Sequence, residues 1–99
     1  MIGVLSRFVV ANGMAEDVKQ AFLLRPHLVD GATGFLRLDV LSPEDAPNEI
    51  WLITYWTDRQ SYQTWHASHQ YRESHSGIPK GLKLVPGSAT LRIFSLIAT

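Results

Sequence analysis

The sequence predicts an α+β fold in which a four-stranded antiparallel sheet carries two helices on one face. Three observations lead to this prediction: short apolar, β-branched segments typical of strands, two segments with apolar residues at helical spacing, and turn residues between them. In chain order the predicted elements read β-α-β-β-α-β. With neither a linker nor an internal repeat, residues 1–99 are expected to form one domain.

The first strand and the first helix have clear boundaries in the sequence. Residues Ile2 to Ala11 are mostly apolar or β-branched and end at the turn dipeptide Asn12-Gly13, which predicts a strand and then a turn. Residues Met14 to Arg25 have apolar side chains at helical spacing and two acids in the first turn, where the helix dipole favours them. Pro26 limits how far this helix continues.

The second and third strands are predicted as a hairpin. In the second strand, Phe35 to Leu41, regular alternation would place Phe35 and Arg37 on one face and Leu38 on the other. The third strand, Glu49 to Trp56, is apolar on both faces. Because one face of a small antiparallel sheet is normally in water, this strand indicates helices on one face and a pocket or a partner sheet on the other.

The second helix and the last strand complete the fold. Thr57 and Gln60 have the spacing of a capping box, so a helix is predicted from about Asp58 to about Ser74, and the last strand from Ala89 to Ala98. The completed order is the ferredoxin-like split βαβ arrangement. A two-fold dimer that closes two such sheets into an α+β barrel would cover the second apolar face, so a homodimer is predicted.

Composition narrows the classes of function. Nine basic residues balance nine acidic residues and form no basic stripe, which argues against a nucleic-acid partner. Without cysteine the chain has neither disulfides nor thiolate metal sites, and a partner subunit is the expected source of added stability. No segment is long and apolar enough to span a membrane and the N-terminus does not match a signal peptide, so a cytoplasmic protein without a membrane partner is expected.

The run from Ser61 to His75, on the second helix and at its end, contains three of the four histidines and is the expected location of a site. Tyr62, Trp65, His69 and Arg72 share one helical face, which is both aromatic and polar. Taken alone, aromatic residues at this spacing more often form a core than a catalytic site. His66 is expected to face solvent; although its spacing to His69 suits a metal, no carboxylate completes the set, so no metal site is predicted.

The region from residue 54 to residue 75 resembles the antibiotic biosynthesis monooxygenase (ABM) family. Its strand ends in an aromatic residue and its helix matches the pattern aromatic-x-x-Trp-x-x-Ser-x-x-aromatic-x-x-x-His. The matching residues are Tyr62, Trp65, Ser68, Tyr71 and His75. Gly34-Phe35 is also similar to the glycine-Phe pair at the start of the family's second strand. The resemblance implies a monooxygenase with the same dimeric fold, acting on a flat, hydrophobic aromatic molecule.

One branch of that family, the IsdG-type heme-degrading monooxygenases, implies a heme partner. By this resemblance His75 is the iron ligand and Trp65 packs against the porphyrin. An asparagine on the first strand of those enzymes corresponds to Ser6, which is therefore a third candidate site residue. A serine hydroxyl is shorter than the amide and is not expected to donate in the same way, so the resemblance favours heme binding over heme degradation.

A second branch, the cofactor-independent oxygenases of aromatic polyketides and quinols, implies that no cofactor is required. There the deprotonated substrate itself reduces O2, and the protein supplies an apolar pocket, a proton acceptor and an anion stabiliser. The candidates are Trp65, Tyr71, His69 and His75, with Arg72 or Arg92 for the anion. A non-catalytic dimeric ligand-binding domain is a third hypothesis. A buried Trp65–His75 pair that lines an open pocket would favour the first two hypotheses, and a pocket filled by side chains would favour the third.

Overall fold

The computed structural model describes residues 1–68, 71 and 78–99. Within this part of the chain, the strands and helices follow the predicted order: β1 (Ile2–Val9), α1 (Ala15–Leu23), β2 (Phe35–Leu41), β3 (Glu49–Trp56), α2 (Arg59–His66) and β4 (Thr90–Ser95). A 3₁₀ turn, Leu28–Gly31, lies between α1 and β2. The predicted bounds of β2 and β3 are confirmed.

The four strands form one antiparallel sheet in the order β2-β3-β1-β4. The two central strands, β1 and β3, pair from Ile2 opposite Trp56 to Val9 opposite Glu49. β1 and β2, which α1 connects, have β3 between them, and β3 and β4, which α2 connects, have β1 between them. This is the predicted ferredoxin-like arrangement.

Both helices pack on the same face of this sheet. That face carries Val4 and Phe8 of β1 and Ile50 and Trp56 of β3. Phe8 pairs with Ile50, and along each strand the two named residues are an even number of positions apart, so all four side chains point to the same side. The side chains divide into two core clusters. Val4, Val29, Trp56, Tyr62 and Trp65 form the first, and Val10, Ala15, Val18 and Ile50 form the second. The prediction of two helices on one face is confirmed, with α2 over the first cluster and α1 over the second.

The outer face of the sheet, which points away from the helices, is also apolar. Leu5, Ile53, Tyr55 and Phe94 lie on it, and Phe94 is 43% exposed. No helix of the described residues packs against this face. The two-sided apolar pattern of β3 therefore reflects one face covered by helices and one that is open.

Regular alternation fails at the start of β2. The pairing register of β2 and β3 shifts between Phe35 and Arg37, and such a bulge inserts one extra residue into a strand. Phe35 therefore lies opposite Trp56 on the helix-facing side, whereas Arg37 lies opposite Tyr55 on the outer face. The prediction that Phe35 and Arg37 share a face is wrong for this reason.

The helix predicted to run to about Ser74 ends earlier. α2 ends at His66, and the hydroxyl of Ser68 donates to the carbonyl of Trp65 at 2.6 Å while accepting from the amide of Tyr71 at 3.1 Å. A serine that bonds to the backbone in this way competes with the helical hydrogen bonds. Tyr71 is again helical. His69 and the residues from 72 to 77 lie outside the described residues.

The other boundaries also differ from the predictions. β1 ends at Val9 because the next two amides bond elsewhere, Val10 to the carbonyl of Asn48 and Ala11 to that of Lys83. α1 and β4 are likewise shorter than predicted. The N-cap of α2 is Asp58 and not Thr57. The carboxylate of Asp58 accepts a hydrogen bond from the backbone amide of Ser61 at 2.7 Å, and this bond lowers the pKa of Asp58.

Candidate functional site

An open cavity of about 440 Å³ lies between α2 and the segment that follows the 3₁₀ turn. Its volume is within the range of small-molecule sites. Its lining residues are Gly31, Ala32, Thr33, Gln60, Ser61, Thr64, Trp65 and Ser68. Trp65 is 7% exposed, so the cavity reaches the edge of a buried indole. The other lining residues that the structure describes have hydroxyl, amide or small side chains, and none of them is charged.

The two walls of this cavity are joined at Gly34. The amide of Thr57 donates to the carbonyl of Gly34 at 2.8 Å, which links the start of α2 to the start of β2. Gly34 has a φ of +81°, and a β-carbon at this position would lie closer than 3.0 Å to both the Cβ and the Oγ of Ser61. The walls can approach this closely only because residue 34 has no side chain.

Trp65 and Tyr71 are brought together by the end of α2. Their rings are in edge-to-face contact, with centroids 6.2 Å apart and planes at 87°, which is a preferred geometry for aromatic pairs. The hydroxyl of Ser68 bonds to the backbone of both residues. The motif identified Ser68 only as a matching position, and this connecting role was missed in the sequence analysis.

His66 lies among the aromatic residues of this region. Its side chain is exposed, as predicted, but its ring lies 4.4 Å from that of Tyr71 and 5.6 Å from that of Tyr62. Burial raises the pKa of the Tyr62 phenol, with a smaller electrostatic effect from Tyr71. Tyr62 is therefore a neutral phenol near neutral pH and does not serve as a base.

The structure does not place the other predicted site residues, Ser6, His69 and His75, at the cavity beside Trp65. Ser6 is half-buried on the helix-facing side of β1, opposite Leu52 and Leu91 and between the two core clusters. It is not among the described residues that line the cavity beside Trp65. Its role, and those of His69 and His75, which lie outside the described residues, stay predictions.

The alternative of Arg92 as an anion stabiliser beside Trp65 is wrong. Arg92 lies opposite Leu5 on the outer face of the sheet, and its guanidinium carbon is 5.2 Å from the centroid of the Phe94 ring. The sheet therefore separates Arg92 from α2. Arg72, the other candidate for this role, lies outside the described residues.

A second cavity, of about 270 Å³, opens on the outer face of the sheet. Its walls are almost entirely apolar, and it is lined by Gly3, Leu5, Trp51, Ile53, Tyr55, Phe94, Ser95 and Leu96. Beside it, one carboxylate oxygen of Glu49 accepts from Arg7 and the other accepts from the indole N–H of Trp51 at 2.9 Å. The Trp51 hydrogen bond, followed by that of Arg7, lowers the pKa of Glu49.

In the ranges 1–68, 71 and 78–99, no group of three or more histidine, aspartate or glutamate side chains is arranged to hold a metal ion. In the same ranges, no helix has the length and apolar character needed to cross a membrane.

Comparison with known proteins relates this fold to oxygenases. A sequence model described as antibiotic biosynthesis monooxygenase matches residues 1–77. A curated relative named heme oxygenase (mycobilin-producing), from Mycobacterium tuberculosis, is 26% identical over 69 residues, covering 62% of this chain. The match spans 66% of that relative, which is just under two thirds of its length.

Solved structures show the same fold over the full chain. The heme degrader MhuD from Mycobacterium tuberculosis, solved with two hemes in its active site, has a TM-score of 0.81 at 20% identity and covers 100% of this chain and 98% of its own. SnoaB, a cofactor-independent oxygenase from Streptomyces nogalater, has a TM-score of 0.77 at 19% identity, covering 99% of this chain and 94% of its own. Since the family match spans well over half of the 99 residues, the chain belongs to the antibiotic biosynthesis monooxygenase family.

Proposed function

We propose that this protein is a monooxygenase acting on a flat, hydrophobic aromatic molecule that binds beside Trp65. The observation that carries the proposal is the open cavity of about 440 Å³ at the edge of this buried indole, whose ring also contacts Tyr71. An aromatic ligand gains edge-to-face or offset contacts with such rings. A domain that bound no small molecule would have this space filled by side chains, so the cavity supports a bound ligand. Oxygen uptake then separates a monooxygenase from a non-catalytic ligand-binding domain.

The lining of the cavity supports a substrate that has a neutral polar edge. Thr33, Gln60 and Thr64 present two hydroxyls and an amide, and in the described part of the chain these side chains make no hydrogen bond to the protein. They suit the carbonyl or phenol oxygens of a quinol or a polyketide. The absence of charge in the described lining disfavours a strongly ionised substrate, which would lose its hydration without gaining a counter-ion.

The proposed reaction needs no external reductant. A methylene carbon flanked by aromatic rings loses a proton, and the resulting carbanion reduces O2. One oxygen atom stays on that carbon as a carbonyl, and the other leaves as water with the two methylene hydrogens. The protein holds the rings, excludes water and hydrogen-bonds the substrate oxygens. The proton acceptor is proposed to be His69 or His75.

Oxygen uptake with two anthrones, each of which has a methylene carbon between two aromatic rings, tests this function. Trp65→Phe is expected to lower kcat/KM by about 10²-fold, because displacing a bound reactant by an ångström can cost that much. Tyr71→Phe is expected to lower it as well, whereas Tyr55→Phe, on the outer face of the sheet, is the matched control and should retain the wild-type rate. With isotope-labelled O2, one labelled atom should enter each product molecule. If neither substrate consumes O2, or if Tyr55→Phe is as impaired as Tyr71→Phe, the proposal fails.

Heme is the second candidate ligand, and the comparisons favour it: a relative is named a heme oxygenase and MhuD was solved with two hemes. The described lining of the cavity beside Trp65 contains no histidine, cysteine or tyrosine. These residues alone therefore do not fit heme, because none of them can serve as an axial ligand to iron. The proposal depends on His75, for which the ligand role is a prediction from the family resemblance.

A heme titration followed by absorbance tests this alternative. Wild-type protein should show a saturable Soret shift at one heme per chain, and His75→Ala should lose it. The matched control is His27→Ala, because His27 has an exposed side chain beside the 3₁₀ turn. Binding that is not saturable, or that is equally weakened in both variants, would exclude a heme site with His75 as its ligand.

We also propose that two copies pair through the outer face of the sheet. The support is an apolar surface around Leu5, Ile53 and Phe94 that no described helix covers, and exposed patches of this kind mark interfaces. Analytical ultracentrifugation should find a dimer for the wild type and a monomer for Ile53→Asp. Leu23→Asp, at an exposed position of α1, should remain dimeric. A monomeric wild type would refute the pairing.

A further inference from the structure

Five aromatic side chains form a continuous series of ring contacts along α2. The centroids are 6.2 Å apart for Trp65 and Tyr71, and 4.4 Å apart for Tyr71 and His66. They are 5.6 Å apart for His66 and Tyr62, and 5.8 Å apart for Tyr62 and Trp56. The indoles at the two ends are 7% and 0% exposed, whereas Tyr71 is half-buried. The series therefore connects buried indoles to a phenol that reaches solvent.

We propose that this aromatic series carries oxidising equivalents from Trp65 to the protein surface through Tyr71. Tryptophan and tyrosine lose an electron more readily than the other aromatic side chains, and electron transfer is fast across rings in contact. Near neutral pH a phenol is oxidised more easily than an indole. Tyr71 therefore reduces an oxidised Trp65 and itself becomes the oxidised side chain. Imidazole is harder to oxidise than either, so His66 fills the gap between the two phenols without holding the charge.

Each step of the relay balances. A peroxyl radical beside Trp65 takes one electron and the N–H proton from the indole, which leaves a hydroperoxide and a neutral tryptophanyl radical. The Tyr71 phenol then transfers one electron and one proton to that radical, restoring the indole and leaving a tyrosyl radical. A thiol or ascorbate at the surface donates a hydrogen atom to the tyrosyl radical, which restores the phenol.

The use of the relay rests on the proposed function. In the proposed reaction a substrate carbanion transfers an electron to O2, and a peroxyl radical that escapes this reaction would damage the side chains around Trp65. The relay moves the damage to a half-buried phenol that small reductants reach. Its existence is a property of the ring contacts alone, so it can be tested with neither substrate nor cofactor.

The sequence contains its own controls. Of three tryptophans and three tyrosines, two of each belong to the series. The remaining pair, Trp51 and Tyr55, lies on the outer face of the sheet, and among the described residues neither ring contacts the series. Removing Trp51 therefore leaves only indoles that belong to the series.

Laser flash photolysis of the whole protein in a Trp51→Phe background provides the test. Excitation at the red edge of the indole band, where phenol does not absorb, ejects an electron from tryptophan whatever its burial. The visible band of the tryptophanyl radical should decay as the tyrosyl band rises. The phase should be first-order and independent of protein concentration. Added Tyr71→Phe should remove the component from Trp65, and added Tyr62→Phe the component from Trp56.

Each outcome decides the proposal. Tyr55→Phe in the same background should leave both components unchanged, and ascorbate should shorten the lifetime of the tyrosyl radical formed at Tyr71. The relay is refuted if no tyrosyl band appears, if Tyr71→Phe leaves the decay unchanged, or if Tyr55→Phe abolishes transfer. Because no turnover is involved, a protein that oxidises neither quinols nor heme would still show the relay, and failure of the two proposals is distinguishable.

Discussion

Gly34→Ala is expected to destabilise this protein far more than the same change at another glycine with positive φ. A β-carbon at residue 34 would lie closer than 3.0 Å to the Cβ and Oγ of Ser61 and to the Oγ1 of Thr57. An L-residue in the left-handed region costs about 1–2 kcal/mol, and forcing atoms into a packed site costs about 1–3 kcal/mol. The expected loss in free energy of unfolding is therefore about 2–5 kcal/mol.

Gly13→Ala is the matched control for this prediction. Gly13 has a φ of +74°, but a β-carbon there has no atom within 4 Å, so only the backbone cost of about 1–2 kcal/mol applies. Urea unfolding at one fixed protein concentration measures both variants, since self-association would make stability concentration-dependent. Adding Ser61→Gly to Gly34→Ala should recover part of the loss. Equal losses at the two glycines would refute the steric account of how the cavity walls are joined.

Three further predictions concern stability. Ile50→Ala, at a fully buried side chain, should lose about 2–5 kcal/mol, whereas Ile97→Ala, at a side chain 90% exposed, should change unfolding by no more than about 0.5 kcal/mol. The pKa of Asp58 is lowered in the folded protein, so its carboxylate stabilises the fold above the unfolded carboxyl pKa of about 3.9, and this stabilisation is lost as pH falls through the folded pKa. Asp58→Asn should keep the N-cap. Its melting temperature should therefore fall less steeply than that of the wild type in this acidic range. Ser68→Ala should lose about 0.5–1.5 kcal/mol per hydrogen bond, and Ser68→Thr should restore most of it; equal unfolding curves for the two would contradict the bonds to its hydroxyl.

The topology was predictable because its signals are local and repeat along the chain. The two-sided apolar character of β3 indicated both the helix-covered face and the open one, and the bounds of β2 and β3 follow their apolar runs. The bulge at Phe35 was not predictable, since alternation assumes a regular ladder and no glycine or proline lies within the shifted pair. The sequence alone also gave no indication that Gly31 to Thr33 would form a wall of the cavity.

The site was predictable as a set of residue types but not as an arrangement. Trp65 and Tyr71 come from a motif, and their contact was not expected from a helix. The capping residue was misplaced by one position because both Thr57 and Asp58 are good N-caps, and only the backbone geometry at Asp58 decides between them. Arg92 was proposed as an anion stabiliser from its charge alone. Its position on the outer face follows only from the register of β1 and β4, which pairs Arg92 with Leu5.

The spacing of the helix motif has a physical meaning that a continuous helix would not provide. Tyr71 follows Trp65 by six positions, and at 3.6 residues per turn of a continuous helix their side chains would point about 120° apart around the helix axis. Their rings nevertheless meet at 6.2 Å. The serine midway between them resolves this, because its hydroxyl bonds to the Trp65 carbonyl and the Tyr71 amide where α2 has already ended. The pattern Trp-x-x-Ser-x-x-aromatic therefore describes a helix end that folds the second aromatic ring back onto the first.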